Sequence, residues 1–212
     1  MRRGEHGGDW AAYQIQYHGM PLDFSANVSP MGIPAGVKRA LYQAVEEVNR
    51  YPDPLCRQLR ACLGRHHDVS SAQILCGNGA SDLIDRLVLA LRPKRGMVTA
   101  PAFSEYGQAL RRVGCQVEEF PLQRAEDFRM TARILERITP ALDILFLCEP
   151  SNPAGQTTDR ALLEKILERC DACGVLLVVD ECFEEFLLDR SHSMVSNLTG
   201  HHLLILRAFT KF

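Results

Sequence analysis

No apolar stretch in this sequence approaches the ~18 consecutive residues needed to cross a bilayer as a helix. The opening Met1-Arg2-Arg3-Gly4-Glu5-His6 runs into polar sequence with no apolar segment behind it, so no secretory signal is expected. Neither sign of charge dominates: 24 Lys and Arg stand against 26 Asp and Glu, a formal charge of -2, with a pI near 6.4. Such a balance gives no electrostatic reason to expect nucleic acid or an acidic membrane surface as a partner. The 15 Gly and 11 Pro follow no period, which excludes collagen-like and low-complexity chains. There is no internal repeat. Cys170 and Cys173 form a CxxC with no second pair at zinc-site spacing, and they read as two positions one turn apart on a helix; no metal is called for.

What is present is ordinary for a globular chain: 212 residues, 46% hydrophobic and 24% charged, enough for one domain or slightly more with a real core. The eight cysteines are even in number, yet Cys76, Cys115, Cys148 and Cys182 lie in apolar stretches, where cysteine acts as a small core residue. A reducing, cytoplasmic setting is expected.

Helical and strand-like periods alternate. Apolar spacing predicts helices over 35–49, 55–66, 81–91, 103–113 and 160–173. Short apolar runs predict strands over 73–76, 96–100, 116–120, 142–148, 175–179 and 203–206. Val175-Leu176-Leu177-Val178-Val179 is aliphatic throughout, which suits a strand covered on both faces. The pattern predicts an α/β layered domain with a mostly parallel sheet. Residues before Pro34 lack periodicity and read as an extended arm.

In such sheets the chemistry collects beyond the carboxyl ends of the strands. Gly77-Asn78-Gly79-Ala80-Ser81 opens a helix, where free N–H groups bind phosphate and glycine lets it approach; a tight turn alone would also use those glycines. Asp180 ends an aliphatic strand, where a carboxylate needs a partner, whether a helix cap, a salt bridge or a cationic ring nitrogen. Asn152, in Ser151-Asn152-Pro153, offers an amide on a rigid turn. Lys211 follows a strand, beside Thr210. Any of these singly has a plain structural explanation. Together, a phosphate cradle, a carboxylate, an amide donor and a lysine amine are what pyridoxal 5'-phosphate (PLP) requires.

Six motifs in order resemble the fold-type I PLP enzymes of the aminotransferase class I/II group, whose large domain is aspartate aminotransferase-like. They are Tyr51-Pro52-Asp53, the Gly77–Asp82 turn, Pro101-Ala102-Phe103-Ser104-Glu105-Tyr106, Pro150-Ser151-Asn152-Pro153-Ala154-Gly155, Val179-Asp180-Glu181 and Phe209-Thr210-Lys211-Phe212. The resemblance implies that Lys211 carries the cofactor covalently and shuttles protons, with Thr210 beside it. It implies that Asp180 pairs with the ring nitrogen and Asn152 donates to the ring 3-oxygen. Gly79, Ala80 and Ser81 would hold the phosphate, and Phe103 would stack on the ring with Tyr106 close by. Tyr51 would reach the cofactor phosphate of a neighbouring subunit, making a homodimer with a shared site.

Within the group, the chain is similar to the threonine-phosphate decarboxylases of cobalamin biosynthesis. His6-Gly7-Gly8 and the stretch Asp23-Phe24-Ser25-Ala26-Asn27-Val28-Ser29-Pro30-Met31-Gly32 resemble their pattern, which implies that Asn27 would contact the substrate. Phe183 stands where the related histidinol-phosphate aminotransferases usually carry Tyr, so its ring cannot donate to the 3-oxygen, although core packing alone would also account for an aromatic there. The implied reaction is decarboxylation of L-threonine O-3-phosphate to 1-aminopropan-2-ol O-2-phosphate. The alternatives are a histidinol-phosphate or other class I/II aminotransferase, and a non-catalytic fragment that docks on a full-length subunit. Ala208 replaces a Ser that in relatives helps bind phosphate. Family members continue past the lysine into a small domain that supplies arginines for the phosphate and the substrate carboxylate. Residues 1–33 are therefore expected to be an arm. Residues 34–212 are expected to be a PLP-binding large domain cut short, which would fold poorly alone.

Overall fold

The computed structural model describes residues 8–188, 192–209 and 211. The chain groups into two compact units, residues 1–57 with 210–212, and residues 58–209. The arm boundary expected at residues 33–34 falls inside the first unit.

The second unit is built on a five-stranded sheet in the order β2-β1-β3-β4-β5. The strands are β1 (Arg95–Ala100), β2 (Gln116–Pro121), β3 (Ile144–Cys148), β4 (Leu176–Asp180) and β5 (Leu203–Leu206). Every pairing is parallel, with Cys148 opposite Asp180 and Asp180 opposite Leu206. Strands of period 2 send alternate side chains to opposite faces. On β3, Leu145 and Leu147 enter one core while Ile144, Phe146 and Cys148 enter the other. Both faces are therefore covered at the centre of the sheet, which is why β3 and β4 are apolar without alternation.

Helices α6 (Ile134–Arg137) and α7 (Arg160–Cys173) close the first face through Ile134, Leu163, Ile166 and Cys170. Helices α4 (Ala80–Leu91) and α5 (Ser104–Arg112) close the other through Ile84, Val88, Ala109 and Leu110. Asp159 caps α7 by accepting from the Leu162 N–H at 3.2 Å. Cys170 is fully buried on α7, and the eight cysteines are free thiols. Among the described residues no cluster of His, Cys, Asp and Glu could hold a metal, and no helix is long and apolar enough to cross a membrane.

Two sequence expectations need correction. Residues 73–76 form no strand among the described residues. Ser70 instead starts a 3-10 turn at Ser71–Gln73 through a capping box, and Leu75 is largely exposed beyond it. A short apolar run without a neighbouring strand has no ladder to join. The segment before Pro34 is also not wholly extended, because α1 (Trp10–Tyr17) is helical. Asp9 caps it at the Ala12 N–H, 3.1 Å, and the Tyr13 and Tyr17 rings pack at 4.8 Å. Its apolar residues lie around the helix rather than on one stripe, so no period announces it.

The first unit also holds α2 (Ala35–Val45), and α3 (Arg57–His67) spans the junction. None of its described residues within 8–57 is buried. Asp23 organises the turn after α1: its carboxylate accepts from the Ser25 N–H at 2.7 Å and the Trp10 indole at 2.6 Å. Those bonds, together with a stronger contribution from the Ser25 hydroxyl at 2.6 Å, lower its pKa to about 2.

Candidate active site

The strand order reverses between β1 and β3. A crevice outside the carboxyl ends is expected at such a switch point. β1 ends there in Pro101-Ala102-Phe103 and the start of α5, β3 in Glu149-Pro150-Ser151-Asn152, and neighbouring β4 in Asp180.

Asp180 is buried, 4% exposed. Its Oδ2 accepts the Tyr106 hydroxyl at 2.5 Å, and its Oδ1 accepts the Cys182 N–H at 3.0 Å. Tyr106, on the first turn of α5, is fully buried. Its ring stacks on Phe146 of β3 at 5.1 Å and meets the edge of Phe103 at 5.5 Å. Burial, then the Asp180 charge, pushes the Tyr106 pKa well above its usual value, so the phenol remains a donor. Burial likewise pushes the Cys148 thiol up to about 12. That thiol stays protonated and donates to the Pro150 carbonyl at 3.2 Å. Asp180 thus has two neutral donors and, among the described residues, no cation within ion-pair reach. A buried carboxylate of this kind suits a cationic partner such as a protonated ring nitrogen.

The three residues after α4, Arg92 to Lys94, turn the chain into β1, so the α4 N-terminus lies at the carboxyl end of the sheet. Its cap, Gly79, has φ +85° and no side-chain cap bond. A Cβ there would meet no atom within 4 Å. The first-turn N–H groups at Ala80 and Ser81 have no intrahelical acceptor, as at any helix start, which is where an anion can be received. Gly77 answers to a different constraint: its Cβ would lie 2.7 Å from Asp82 Oδ2 and from Leu83 Cδ2. Asp82 Oδ2 in turn accepts the Asn78 N–H at 2.9 Å, which fixes the turn into the helix.

Asn152 is half-buried on a loop held from within by Ser151 N–H to Gln156 O at 2.8 Å and Gly155 N–H to Ser151 O at 2.7 Å. The structure joins Phe103, Tyr106 and Asp180 in one contact chain. It places Asn152 and the Gly79–Ser81 turn at the same end of the sheet, with no direct bond from either to Asp180. Phe183 packs beside Phe186, rings 6.3 Å apart. Asn27 and Tyr51 are exposed in the first unit, and Lys211 groups with that unit. Thr210 lies outside the described residues.

Sequence reasoning missed three features. The Tyr106–Asp180 bond was one, since Tyr106 was expected only near a cofactor ring. Glu149, whose carboxyl accepts the Thr158 N–H, is the second. The third is Arg207, which reaches Glu181 at 2.6 Å, Glu184 at 3.0 Å and Glu185 at 3.2 Å. Glu181 also accepts the Met194 N–H at 2.6 Å, yet burial holds its pKa up. Two glutamates just beyond an aliphatic strand were the available signal, because buried carboxylates demand a cation; the sequence did not say which arginine.

The family model for aminotransferase class I and II matches residues 20–212. The chain is 41% identical over 191 residues to a threonine-phosphate decarboxylase of Salmonella typhimurium, covering 90% of this chain and 52% of that protein. It is 33% identical over 194 residues to a histidinol-phosphate aminotransferase of Desulfitobacterium hafniense, covering 88% and 52%. The crystal structure of the histidinol-phosphate aminotransferase from Clostridium acetobutylicum superposes with a TM-score of 0.79 at 26% identity, covering 89% of this chain and 55% of that one. The chain spans about half the length of the curated relatives it matches.

Proposed function

This chain belongs to the aminotransferase class I and II family, and we propose that it carries the cofactor site of a PLP enzyme that decarboxylates L-threonine O-3-phosphate. The observation that carries the cofactor reading is Asp180, a buried carboxylate with two neutral donors and no described cation. PLP, when bound, supplies a cationic ring that takes up the electron pair left as a bond at the substrate Cα breaks. Asp180 would hold the proton on the ring nitrogen, and Tyr106 would fix Asp180 in place. The N–H groups after Gly79 would receive the phosphate, with Ser81 adding its hydroxyl. Phe103 would cover the ring face. Asn152 would donate its amide to the ring 3-oxygen, unaided by Phe183, which has no hydroxyl. Lys211 Nζ would hold the cofactor covalently and later return a proton to Cα.

The choice of substrate is supported by the 41% identity to the Salmonella decarboxylase and by the Asp23–Gly32 stretch that holds Asn27. Carbon dioxide leaves Cα and a proton replaces it, giving 1-aminopropan-2-ol O-2-phosphate, a building block for cobalamin. Residues 34–212 are read as the PLP-binding region after an arm. The assembly is read as a homodimer in which Tyr51 reaches the neighbour's phosphate. A second reading, amino transfer from histidinol phosphate, is favoured by the Desulfitobacterium relative at 33% identity.

Borohydride reduction of the purified protein with PLP, followed by peptide mapping, is expected to label Lys211. A label elsewhere, or none, refutes the cofactor assignment. Release of carbon dioxide from threonine phosphate supports the decarboxylase. Transfer of the amino group of histidinol phosphate to 2-oxoglutarate selects the second reading.

A further inference from the structure

Glu149 is 3% exposed and lies at the root of the Asn152 loop. Its N–H donates to the Asp180 carbonyl at 2.9 Å, which ties it to the end of β4. Its side chain crosses to the far end of the loop, where Oε1 accepts the Thr158 N–H at 2.6 Å. Residues 150–157 are thus pinned at both ends by one residue. Beside the carboxyl lies a cavity of about 10 Å³, bordered by Thr99, Leu147, Ser151, Gln156 and Thr158. It is partly open to solvent, with room for about one water inside.

We infer that Glu149 is a positioning residue for Asn152, and that the protonation state of its carboxyl sets how firmly the 150–157 loop is held. The groups facing it are few. Thr158, through its hydroxyl and its N–H, favours the ionised carboxylate, as does His192, whose Nδ1 lies 3.3 Å from the Thr158 carbonyl; Glu181 opposes it. Cys148, the residue before it, is an uncharged thiol at working pH. Among the described residues no cation pairs with Glu149. Burial dominates and pushes its pKa up to about 7. Near neutrality the carboxyl therefore loses its proton in a site where burial disfavours the charge. Opening of the loop would expose the charge to water and carry Asn152 with it. The geometry of the brace stands without any cofactor; only the consequence at Asn152 rests on the PLP reading.

The test is amide hydrogen exchange of the cofactor-free protein at pH 6 and pH 8, corrected for free-peptide rates and read at Ser151, Gly155 and Thr158. An acid of pKa about 7 lowers protection about tenfold over that interval. E149Q keeps an acceptor for Thr158 but cannot ionise, so its protection should be the same at both pH values. E149L removes the acceptor and should lose protection at both. A tenfold fall that persists in E149Q, or full protection in E149L, overturns the inference. PLP affinity of the same samples should weaken from pH 6 to pH 8 in the parent protein and not in E149Q. If no sample binds PLP while protection behaves as stated, the cofactor reading fails and the brace stands.

Discussion

Replacing Tyr106 by Phe removes one oxygen and little else. The Phe ring can keep its stacking on Phe146 at 5.1 Å and its edge contact with Phe103 at 5.5 Å. What is lost is the 2.5 Å bond to Asp180 Oδ2, between a tyrosine that is 0% exposed and a carboxylate that is 4% exposed. Water does not reach this pair to substitute. Hydrogen bonds to charged groups contribute about 1.5–3 kcal/mol net. Y106F is therefore expected to lose about 2 kcal/mol, which for a chain of this size lowers Tm by roughly 4–8 °C. The loss should hold across pH 6–9. The raised Tyr106 pKa means its contribution is full below the ordinary tyrosine value, about 10, and fades only as pH climbs through the higher folded value. The assay is urea unfolding with unchanged m, repeated in a D180N background. There the acceptor is neutral and the same change should cost about 1 kcal/mol. A loss below about 0.5 kcal/mol in the parent, or an equal loss in both backgrounds, would refute the claim that Tyr106 stabilises a charged Asp180.

Three other perturbations follow from the same geometry. E149Q should alter the pH dependence of stability: with its folded pKa raised from 4.5 to about 7, Glu149 favours the fold at low pH, and up to about 3 kcal/mol of that is lost as pH rises through 7; urea titrations at pH 5 and pH 9 should show that part of the fall missing in E149Q. R207A strands Glu181 and Glu184, whose side chains are 0% and 1% exposed, at a cost of about 3–5 kcal/mol; because an unpaired buried carboxyl is tolerated better when protonated, thermal melts should show a smaller deficit at pH 5 than at pH 8. G77A places a Cβ 2.7 Å from the Asp82 and Leu83 side chains, which can swing aside, so it should cost no more than about 1 kcal/mol by melting, together with weaker phosphate binding by calorimetry as the Asn78–Asp82 bond shifts.

The sheet was legible because burial on both faces leaves a mark in one dimension: Ile144–Cys148 and Leu176–Asp180 are apolar runs, each followed or ended by a carboxylate, Glu149 and Asp180. Helix α7 was legible from end to end, because Asp159 starts it and Gly174 stops it. The glycine turn before α4 and the carboxylate that ends β4 were legible too, and the structure places both at the carboxyl end of the sheet. Helix α1 was not, because its apolar residues make no stripe, and residues 73–76 were misread because a short apolar run cannot declare whether a neighbour exists to pair with it. The partners of the charged groups were equally hidden. That Tyr106 reaches Asp180 across 74 positions, that Glu149 closes a loop onto Thr158, and that Arg207 serves Glu181 and Glu184 together are facts of proximity between distant segments. Local pattern fixes which residues must be buried and where strands end. Only the packed sheet decides which donor meets which buried charge, because that choice depends on strand order and register, which no single segment encodes.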